Sequence, residues 1–346
     1  MPQPDASDPT PRPPRRKRYV GRNPRSFQDK YKELRLDPAT LAKVTASGKT
    51  PAGTHLPILL PEIRQILALQ PGDTVADATL GYGGHAAALL PAIQPTGLLL
   101  GLDVDPLELP RTEARLRALG FPPATLAVHR SNFAGLPKVL ASLGLPGVNA
   151  LLADLGVSSM QLDNPARGFS FKSDGPLDMR LNPQRGQPAS ALLASLPPHK
   201  LAALLHENAD EPRAFPLADA LAGNSFPTTR SLTAALHALT PDPAERELTC
   251  RRVFQALRIA VNEEFSALDS LLRHLPQSLL PGGRLAILTF HSGEDRRVKK
   301  ALALGLANGT YESIADQVIR PSPAELHANP RSSSAKLRWA IRAPSP

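Results

Sequence analysis

Short hydrophobic runs alternate with segments that carry apolar residues at helical spacing, from about residue 55 to residue 155. Such runs are typical of buried parallel strands, and the spaced segments are typical of helices that pack against them. The alternation predicts an α/β fold with a mostly parallel, doubly wound sheet whose ligand crevice lies beyond the carboxyl ends of the strands. We predict four strands here, in the runs that begin at Thr74, Leu98, Leu126 and Val148.

The alternation of strand-like and helix-like segments stops after residue 161 and resumes near residue 250. The stretch 162–249 is rich in Pro, Ala and Leu, and its periodicity predicts four helices, over 188–196, 199–207, 213–221 and 229–239. We therefore predict a small helical domain, 162–249, inserted into a sheet domain formed by 54–161 and 250–346. The second part of the sheet domain begins with a helix from about Arg252 to Leu275. A fifth strand, Arg284–Phe290, and a last antiparallel edge strand ending at Trp339 follow.

The first 53 residues contain clustered prolines and the basic run Arg15–Arg18, without apolar periodicity. Such a segment cannot bury enough apolar surface to offset the entropy of ordering, so we predict a disordered basic arm. A short helix is predicted near Tyr31–Leu36. An arm that contacts RNA and a tail that only improves solubility are both consistent with this composition.

Charge and cysteine content narrow the partners and the compartment. The formal net charge is +9, from 40 Lys and Arg against 31 Asp and Glu, which favours polyanionic partners such as nucleic acid. Cys250 is the only cysteine, which excludes an intrachain disulfide and a cysteine-based zinc site and suits a reducing cytoplasm. No apolar stretch of about 18 residues occurs, so neither a membrane span nor a secretion signal is predicted. No His, Asp or Glu group shows metal-ligand spacing, and we predict no metal.

Glycines follow the first strand, at Gly81, Gly83 and Gly84, and a helix begins directly after them. Glycine permits positive φ angles and a close approach of a ligand to the backbone, as in nucleotide-binding turns. An ordinary turn without a ligand is the alternative interpretation. Asp103 ends the second strand about twenty positions later, where a carboxylate reaches the hydroxyls of a ribose. Its alternative role is a helix cap, which Asp105 before Pro106 fills better.

Two further strands end in residues that suit the same crevice. Phe133 follows the third strand and Asp154 ends the fourth, so both fall at the edge that carries Gly83 and Asp103. The requirements of folding could explain any one of these four residues. They are less able to explain why all four strand ends carry such a residue. We therefore predict that the crevice is the functional site.

Eleven short motifs follow one another along the chain: His55–Glu62, Asp77–His85, Asp154–Ser159, Gln161–Asp163, Arg167–Phe171, Asp174–Arg180, Phe254–Asn262, Phe290–Ser292, Glu294–Arg296, Asn329–Arg331 and Ser334–Arg338. Together these motifs resemble the RsmH (MraW) family. The resemblance runs from His55 to about Arg342 and leaves the first 54 residues outside. Gly293 stands where that family usually has Leu, and Ser333 where it usually has Arg.

The resemblance implies a class I Rossmann-like methyltransferase that uses S-adenosyl-L-methionine. The implied reaction is methylation of the exocyclic N4 amine of cytosine 1402 in 16S ribosomal RNA, with the small ribosomal subunit as partner. The implied cofactor-binding residues are Gly83, Gly84, His85, Asp103, Phe133, Asp154 and Gln161. Of these, His85 and Gln161 depend on the resemblance alone.

The chemistry suggests one catalytic residue and a set of RNA contacts. Asp154 is our hypothesis for the group that accepts hydrogen bonds from the cytosine amine, and cofactor binding alone is its alternative role. Because the base must leave its stack, an RNA clamp is expected. Its candidates, each of which also has a structural interpretation, are Arg167, Phe169, Phe171, Arg180, His291, Arg296, Arg331, Lys336 and Arg338.

Two other functions compete with this one. An NAD-type oxidoreductase is disfavoured because Gly81–His85 is not a G-x-G-x-x-G fingerprint. A non-enzymatic ribosome-assembly factor that binds rRNA through the basic arm is the second alternative. The sequence leaves open whether the protein forms a homodimer.

Overall fold

One seven-stranded sheet organises residues 57–344, the part of the chain that the computed structural model describes. The strand order is β3-β2-β1-β4-β5-β7-β6, and β7 runs antiparallel to both of its neighbours. The predicted α/β class with a mostly parallel sheet is confirmed. The strands are β1 (Thr74–Asp77), β2 (Leu98–Asp103), β3 (Leu126–Arg130), β4 (Val148–Asp154), β5 (Leu279–Thr289), β6 (Tyr311–Ile314) and β7 (Lys336–Arg342).

Thirteen α-helices connect these strands within residues 57–344, and the predicted arm over 1–53, with its helix near Tyr31–Leu36, lies outside the described residues. No helix in this part of the chain is long and apolar enough to cross a membrane. The helices are α1 (Leu60–Leu67), α2 (Gly84–Leu89), α3 (Leu109–Arg117), α4 (Leu136–Ser142), α5 (Ser159–Asp163), α6 (Ala189–Ser195), α7 (Pro198–Ala209), α8 (Ala214–Leu221), α9 (Thr229–Leu239), α10 (Pro243–Val261), α11 (Glu264–Ser278), α12 (Ser292–Ala307) and α13 (Pro323–Ala328).

Successive residues of the central strands point to opposite faces, and each face has its own core. In β4, Leu151 and Ala153 join the core formed with α4, α11 and α12, whereas Ala150 and Leu152 join the core formed with α1, α2 and α3. Burial on both faces explains why these strands read as continuous apolar runs rather than as alternating ones. The sheet is thereby fixed between two helical layers, and its carboxyl edge presents the loops.

The second half of the chain differs from the predictions in two places. The predicted single helix from Arg252 to Leu275 is wrong, because α10 and α11 are separated at Asn262 and Glu263, and Glu263 has a left-handed φ of 52°. The predicted edge position of the last strand is also wrong. The short strand β6, which the sequence did not reveal, pairs with β7 and forms the edge itself.

Helices α6 to α10 surround a third apolar core that is separate from the two faces of the sheet. The four helices predicted between 188 and 239 are confirmed as α6 to α9. Helix α10 extends across residue 250 and contributes Cys250, Val253 and Leu257 to the third core. The assignment of 162–249 to a separate inserted domain stays a prediction.

Candidate active site at the carboxyl edge of the sheet

The glycine turn after β1 is held by helix α3. Gly81 and Gly83 have φ angles of 49° and 79°, and a Cβ on Gly83 would lie 2.9 Å from the Thr112 side chain. Thr112 donates its hydroxyl hydrogen to the carbonyl of Gly81 at 2.6 Å, and the Arg115 guanidinium lies 3.5 Å from the centre of the Tyr82 ring. Glycine is therefore required here by the left-handed backbone and by close packing against α3.

Asp103 joins this turn to the end of β2. Its Oδ2 accepts the Gly81 backbone N–H at 2.7 Å, and its Oδ1 accepts the Asp105 N–H at 2.9 Å. Burial raises the pKa of the Asp103 carboxyl, against the lowering effect of these two N–H donors. Each carboxylate oxygen keeps a further lone pair, so Asp103 can still accept from a ligand hydroxyl.

Three strand ends and the glycine turn converge on one group, which we call the acid cluster: Asp77, His85, Asp103 and Asp154. The His85 Nε2 lies 3.5 Å from Asp154 Oδ2, and the backbone N–H of Asp154 donates to Thr79 Oγ1 at 2.6 Å. Within residues 57–344, both ring nitrogens of His85 and Oδ1 of Asp154 are buried without a hydrogen-bond partner. Buried polar atoms are rarely left unpaired, so these atoms indicate a ligand site.

The charge of the acid cluster is unbalanced, because three carboxylates face a single imidazole. Burial raises the pKa of Asp77 to about 7, while His85 and the Thr79 backbone N–H lower it and the Asp154 and Asp103 charges raise it further. A pocket of this kind attracts a cation, since a positive ligand relieves the repulsion among the carboxylates.

Behind the acid cluster, Asp105 anchors a buried network. Its Oδ1 accepts the N–H groups of Leu107 and Glu108 and so caps the turn before α3, whereas the predicted role as the N-cap of the helix is wrong, because α3 begins at Leu109 with Glu108 as its N-cap. Its Oδ2 accepts from Gln161 Nε2 and from Arg167 Nη1, both at 2.8 Å. Gln161 also caps α5 by accepting the Ser158 N–H. Gln161 thus reaches the acid cluster through Asp105, at the end of β2.

Arg167, one of the predicted RNA contacts, is buried within this network. Its Nη2 donates to the carbonyls of Arg180 and Leu181, which fixes the loop that follows residue 178. Phe133 follows β3 at the same edge, half-buried against the core that contains α11. The structure therefore brings together Asp77, His85, Asp103 and Asp154, and it places Phe133 on the neighbouring strand end.

Most of the other predicted RNA contacts have protein partners. Phe169 is buried in the third core and Phe171 packs against it, while Arg180 pairs with Asp178. Lys336 and Arg338 both pair with Asp295, and Arg331 pairs with Asp163. Arg296 pairs with Asp210 across to α7 and is 58% exposed. Arg296 is thus the most exposed cation of the predicted set, and Arg338 and Arg167 are the least exposed.

A second buried group, the ion-pair cluster, lies beyond the end of β5: Arg258, Glu264, His291 and Glu294. Arg258 donates to both carboxylate oxygens of Glu264, at 2.9 and 2.7 Å, and His291 Nε2 lies 3.2 Å from Glu294 Oε1. Ligand atoms of Glu264, His291 and Glu294 lie within 4.8 Å of one another, a convergence that spacing along the chain did not reveal. Arg258 already supplies the cation that these carboxylates require.

Sequence reasoning missed several residues that build the site. Thr79, Thr112 and Arg115 hold the glycine turn and the end of β4, and Asn262 binds the loop that Arg167 also binds. Thr112 and Arg115 are one helical turn apart on α3, which is the only local signal that they share a face. Nothing in the sequence shows which element that face contacts.

Comparison with known proteins agrees with this geometry. A family model described as the MraW methylase family matches residues 52–343. A protein of Lachnoclostridium phytofermentans named ribosomal RNA small subunit methyltransferase H 1 is 46% identical over 95% of this chain and 93% of its own length. One of Alkaliphilus metalliredigens, named ribosomal RNA small subunit methyltransferase H 2, is 47% identical over 95% and 97%.

These alignments also test where the similarity begins and ends. Residues 55–346 are 292 of the 346 residues, about 84% of the chain, so coverage of 95% includes part of the first 54 residues. The family model itself begins at residue 52 and ends at 343, which confirms the expected range of His55 to about Arg342, while these two relatives also align with part of the preceding segment. Among solved structures, a SAM-dependent O-methyltransferase from Thermotoga maritima covers 89% of this chain and 73% of its own, at 12% identity and a TM-score of 0.40. That likeness is too weak to support an argument, whereas the family match is decisive: the chain belongs to the MraW methylase family.

Proposed function

We propose that this protein is an rRNA methyltransferase that transfers a methyl group from S-adenosyl-L-methionine to N4 of a cytidine in 16S ribosomal RNA of the small subunit. The observation that carries the proposal is the unbalanced acid cluster at the carboxyl edge of the sheet, in a chain of a methylase family. The names of the relatives support small-subunit rRNA as the substrate. The N4 amine and position 1402 are inferred from the resemblance of the motifs.

The residues present fit this cofactor, which carries a positive sulfonium and supplies an electrophilic methyl group when bound. Asp103 can accept the ribose hydroxyls, and the partly exposed Gly84 brings backbone to the same edge, while Gly83 lets the turn pack closely against α3. His85 and Asp154 carry buried atoms without a hydrogen-bond partner among the described residues, and the 30% exposed side chain of Asp154 can meet a polar group of a ligand. Gln161 and Phe133 complete the proposed binding set, Gln161 through its hydrogen bond to Asp105.

Asp154 is proposed as the residue that acts on the acceptor. The lone pair of the cytosine amine is delocalised into the ring, so the amine needs a hydrogen-bond acceptor as its nitrogen becomes positive. Thr79 holds the backbone of Asp154 at the end of β4, and His85 lies beside its carboxylate. The carboxylate can therefore stabilise the developing charge and accept the proton that the amine loses.

The nine predicted RNA contacts remain part of the proposal, in two roles. Arg296, Arg331 and Phe171 retain exposed surface that RNA can reach. The more buried members of the set, such as Arg167, would act by fixing the loops that surround the target base. A basic protein with a net charge of +9 suits a ribosomal substrate.

The reaction is tested by mapping cytidine methylation in 16S RNA from cells with and without this gene, together with transfer of labelled methyl groups to 30S particles. We expect an N4-methylated cytidine that disappears without the gene. Methylation at another atom would contradict the N4 assignment, and absence of any transfer would leave only the ribosome-assembly factor.

Asp154→Asn tests the catalytic role. Removing the carboxylate should lower the single-turnover rate of methyl transfer about a hundredfold and weaken cofactor affinity by a smaller factor. Asp316→Asn, an exposed carboxylate on the loop after β6, is the matched control and should change neither quantity. Loss of cofactor affinity with an unchanged maximal rate would assign Asp154 to binding alone.

A further inference from the structure

A groove of about 270 Å³ lies between the loop 171–174 and helix α9. We call it the Phe171 groove, and its lining includes Phe171, Lys172, Arg230, Thr233 and His237. Its volume is just below the usual range for small-molecule sites, which suits one nucleotide better than a larger ligand.

The sequence of α9 explains why this wall is polar. Arg230, Thr233 and His237 recur at helical spacing and form one stripe, while Leu232 and Leu236 are buried in the third core. The stripe therefore faces the loop 171–174, because the opposite side of α9 packs in the third core.

The loop is fixed against the start of α9 by Thr229. The Thr229 hydroxyl donates to the carbonyl of Ser173 at 2.7 Å, and the Gly175 N–H donates to the same hydroxyl at 3.1 Å. The Thr229 N–H in turn donates to the Gly175 carbonyl at 2.9 Å. The two walls of the groove thus keep a defined separation.

The groove combines an aromatic ring with cations. Phe171 packs edge-on against Phe254, with ring centres 5.6 Å apart, and Lys172 Nζ lies 5.8 Å from the Phe171 ring centre. Lys172 pairs with Glu247 and the 76% exposed Arg230 pairs with Asp174. Exposed ion pairs of this kind are weak, so a phosphate can replace the carboxylates.

The groove also lies close to the proposed active site along the chain. Phe171 is four residues after Arg167, whose guanidinium is bound to Asp105 behind the acid cluster. Four residues span at most about 14 Å, so the Cα atoms of Phe171 and Arg167 are no farther apart than this. The chain thereby connects the groove to the network behind the acid cluster.

We propose that the Phe171 groove binds one unpaired nucleotide of the RNA substrate, adjacent in the strand to the target cytidine. This inference rests on the proposed function. Phe171 offers a stacking surface for the base, and Arg230 and Lys172 offer partners for its phosphate. An acidic peptide would use the two cations but has no need of the ring, so the combination favours single-stranded RNA.

The test is fluorescence anisotropy of the full chain with a labelled single-stranded fragment of 16S RNA that contains the target cytidine. Arg230→Gln should weaken binding several-fold and reduce the slope of log affinity against log salt by about one. Phe171→Leu should weaken binding about tenfold without changing that slope. Neither variant should change the affinity for S-adenosyl-L-methionine.

Arg273→Gln, an exposed arginine on α11, is the matched control for charge. An equal effect of Arg230→Gln and Arg273→Gln would overturn the proposal, since the charge would then act without a site. So would binding of an acidic peptide to the groove that does not displace the RNA fragment. Because Arg230 is exposed, its result stands even if Phe171→Leu fails to fold.

The outcomes also separate this inference from the proposed function. If the wild-type protein transfers no methyl group to 30S particles while the variants lose RNA affinity, the proposed function fails and the groove stands. If methyl transfer occurs and both variants bind RNA like the wild type, only the groove is wrong.

Discussion

The acid cluster and the ion-pair cluster are both buried groups of titratable side chains at the carboxyl edge of the same sheet, yet their charges are arranged differently. In the acid cluster three carboxylates share one imidazole, and buried atoms of His85 and Asp154 have no hydrogen-bond partner among the described residues. In the ion-pair cluster His291 Nε2 also lacks a hydrogen-bond partner among the described residues, but Arg258 binds both oxygens of Glu264 and supplies a permanent cation.

The pKa shifts of Asp77 and Glu294 reflect whether a nearby cation compensates the buried carboxylate. Burial raises the pKa of Asp77 to about 7 because no cation outweighs it. Burial would also raise the pKa of Glu294, but His291, Arg258 and the Phe290 N–H outweigh it and the pKa is lowered. Burial alone therefore does not mark a functional site. The carboxylates of the acid cluster lack a permanent cation, whereas those of the ion-pair cluster face Arg258, and that cluster joins α10, α11 and the start of α12.

The largest effect is expected when the ion-pair cluster loses its cation. Arg258→Leu leaves Glu264 without its cation and Glu294 with His291 alone, and should lower the free energy of unfolding by about 3 to 5 kcal/mol. Urea denaturation at pH 7 measures this change. Arg273→Leu removes an exposed arginine from α11 and should change stability by less than about 0.5 kcal/mol. A loss of stability below about 1 kcal/mol in Arg258→Leu would show that Arg258 does not compensate the buried carboxylates of the ion-pair cluster.

The excess of carboxylates in the acid cluster should instead make the free energy of unfolding depend on pH. The folded state holds the Asp77 proton more tightly than the unfolded chain does, because the pKa rises from 3.8 to about 7. Stability is therefore full below pH 3.8 and is lost as the pH rises through about 7, by at most about 4 kcal/mol. Asp77→Asn should remove this loss, so that the variant is more stable than the wild type at pH 8, by less at pH 5, and similar to it below pH 3.8.

Glu294→Gln is the matched variant, with the opposite sign. The lowered pKa of Glu294 contributes stability above the unfolded value of 4.5, and this contribution is lost as the pH falls through the folded value. Glu294→Gln should therefore be less stable than the wild type at neutral pH, with the difference shrinking in acid. Parallel stability curves for Asp77→Asn and the wild type between pH 4 and 8 would refute the assignment of the acid cluster as uncompensated.

The residues at the strand ends could be predicted from the sequence, but the hydrogen-bond and ion-pair networks around them could not. Asp103 and Asp154 could be placed because each closes an apolar run, and parallel strands bring their carboxyl ends to one edge. The ion-pair cluster could not be predicted, because its members come from α10, α11 and the start of α12, and no pattern along the chain records that these elements meet. The role of Asp105 was seen only in part, as a cap, since Arg167 reaches it from a distant loop.

The errors in the fold have similar causes. Apolar spacing continues from α10 into α11, so periodicity alone predicts one helix, although Asn262 binds the loop at Met179 and Leu181 and Glu263 turns the chain with a left-handed φ. Strand β6 has only four residues, too few for a period-two pattern to stand out.

The smallest effect is expected at the exposed counterpart of these buried pairs, Arg296 with Asp210. Arg296 is 58% exposed, and its hydrogen bond lowers the pKa of the Asp210 carboxyl. Exposed ion pairs contribute little, so Arg296→Gln should change the free energy of unfolding by less than about 1 kcal/mol, while the Asp210 pKa returns toward its ordinary value in NMR titrations.

Asp210→Asn removes the partner and keeps the cation. If Arg296 contacts RNA as proposed, Arg296→Gln weakens RNA binding and Asp210→Asn does not. A stability loss in Arg296→Gln as large as that in Arg258→Leu would instead make this surface pair part of the framework that joins α7 to α12.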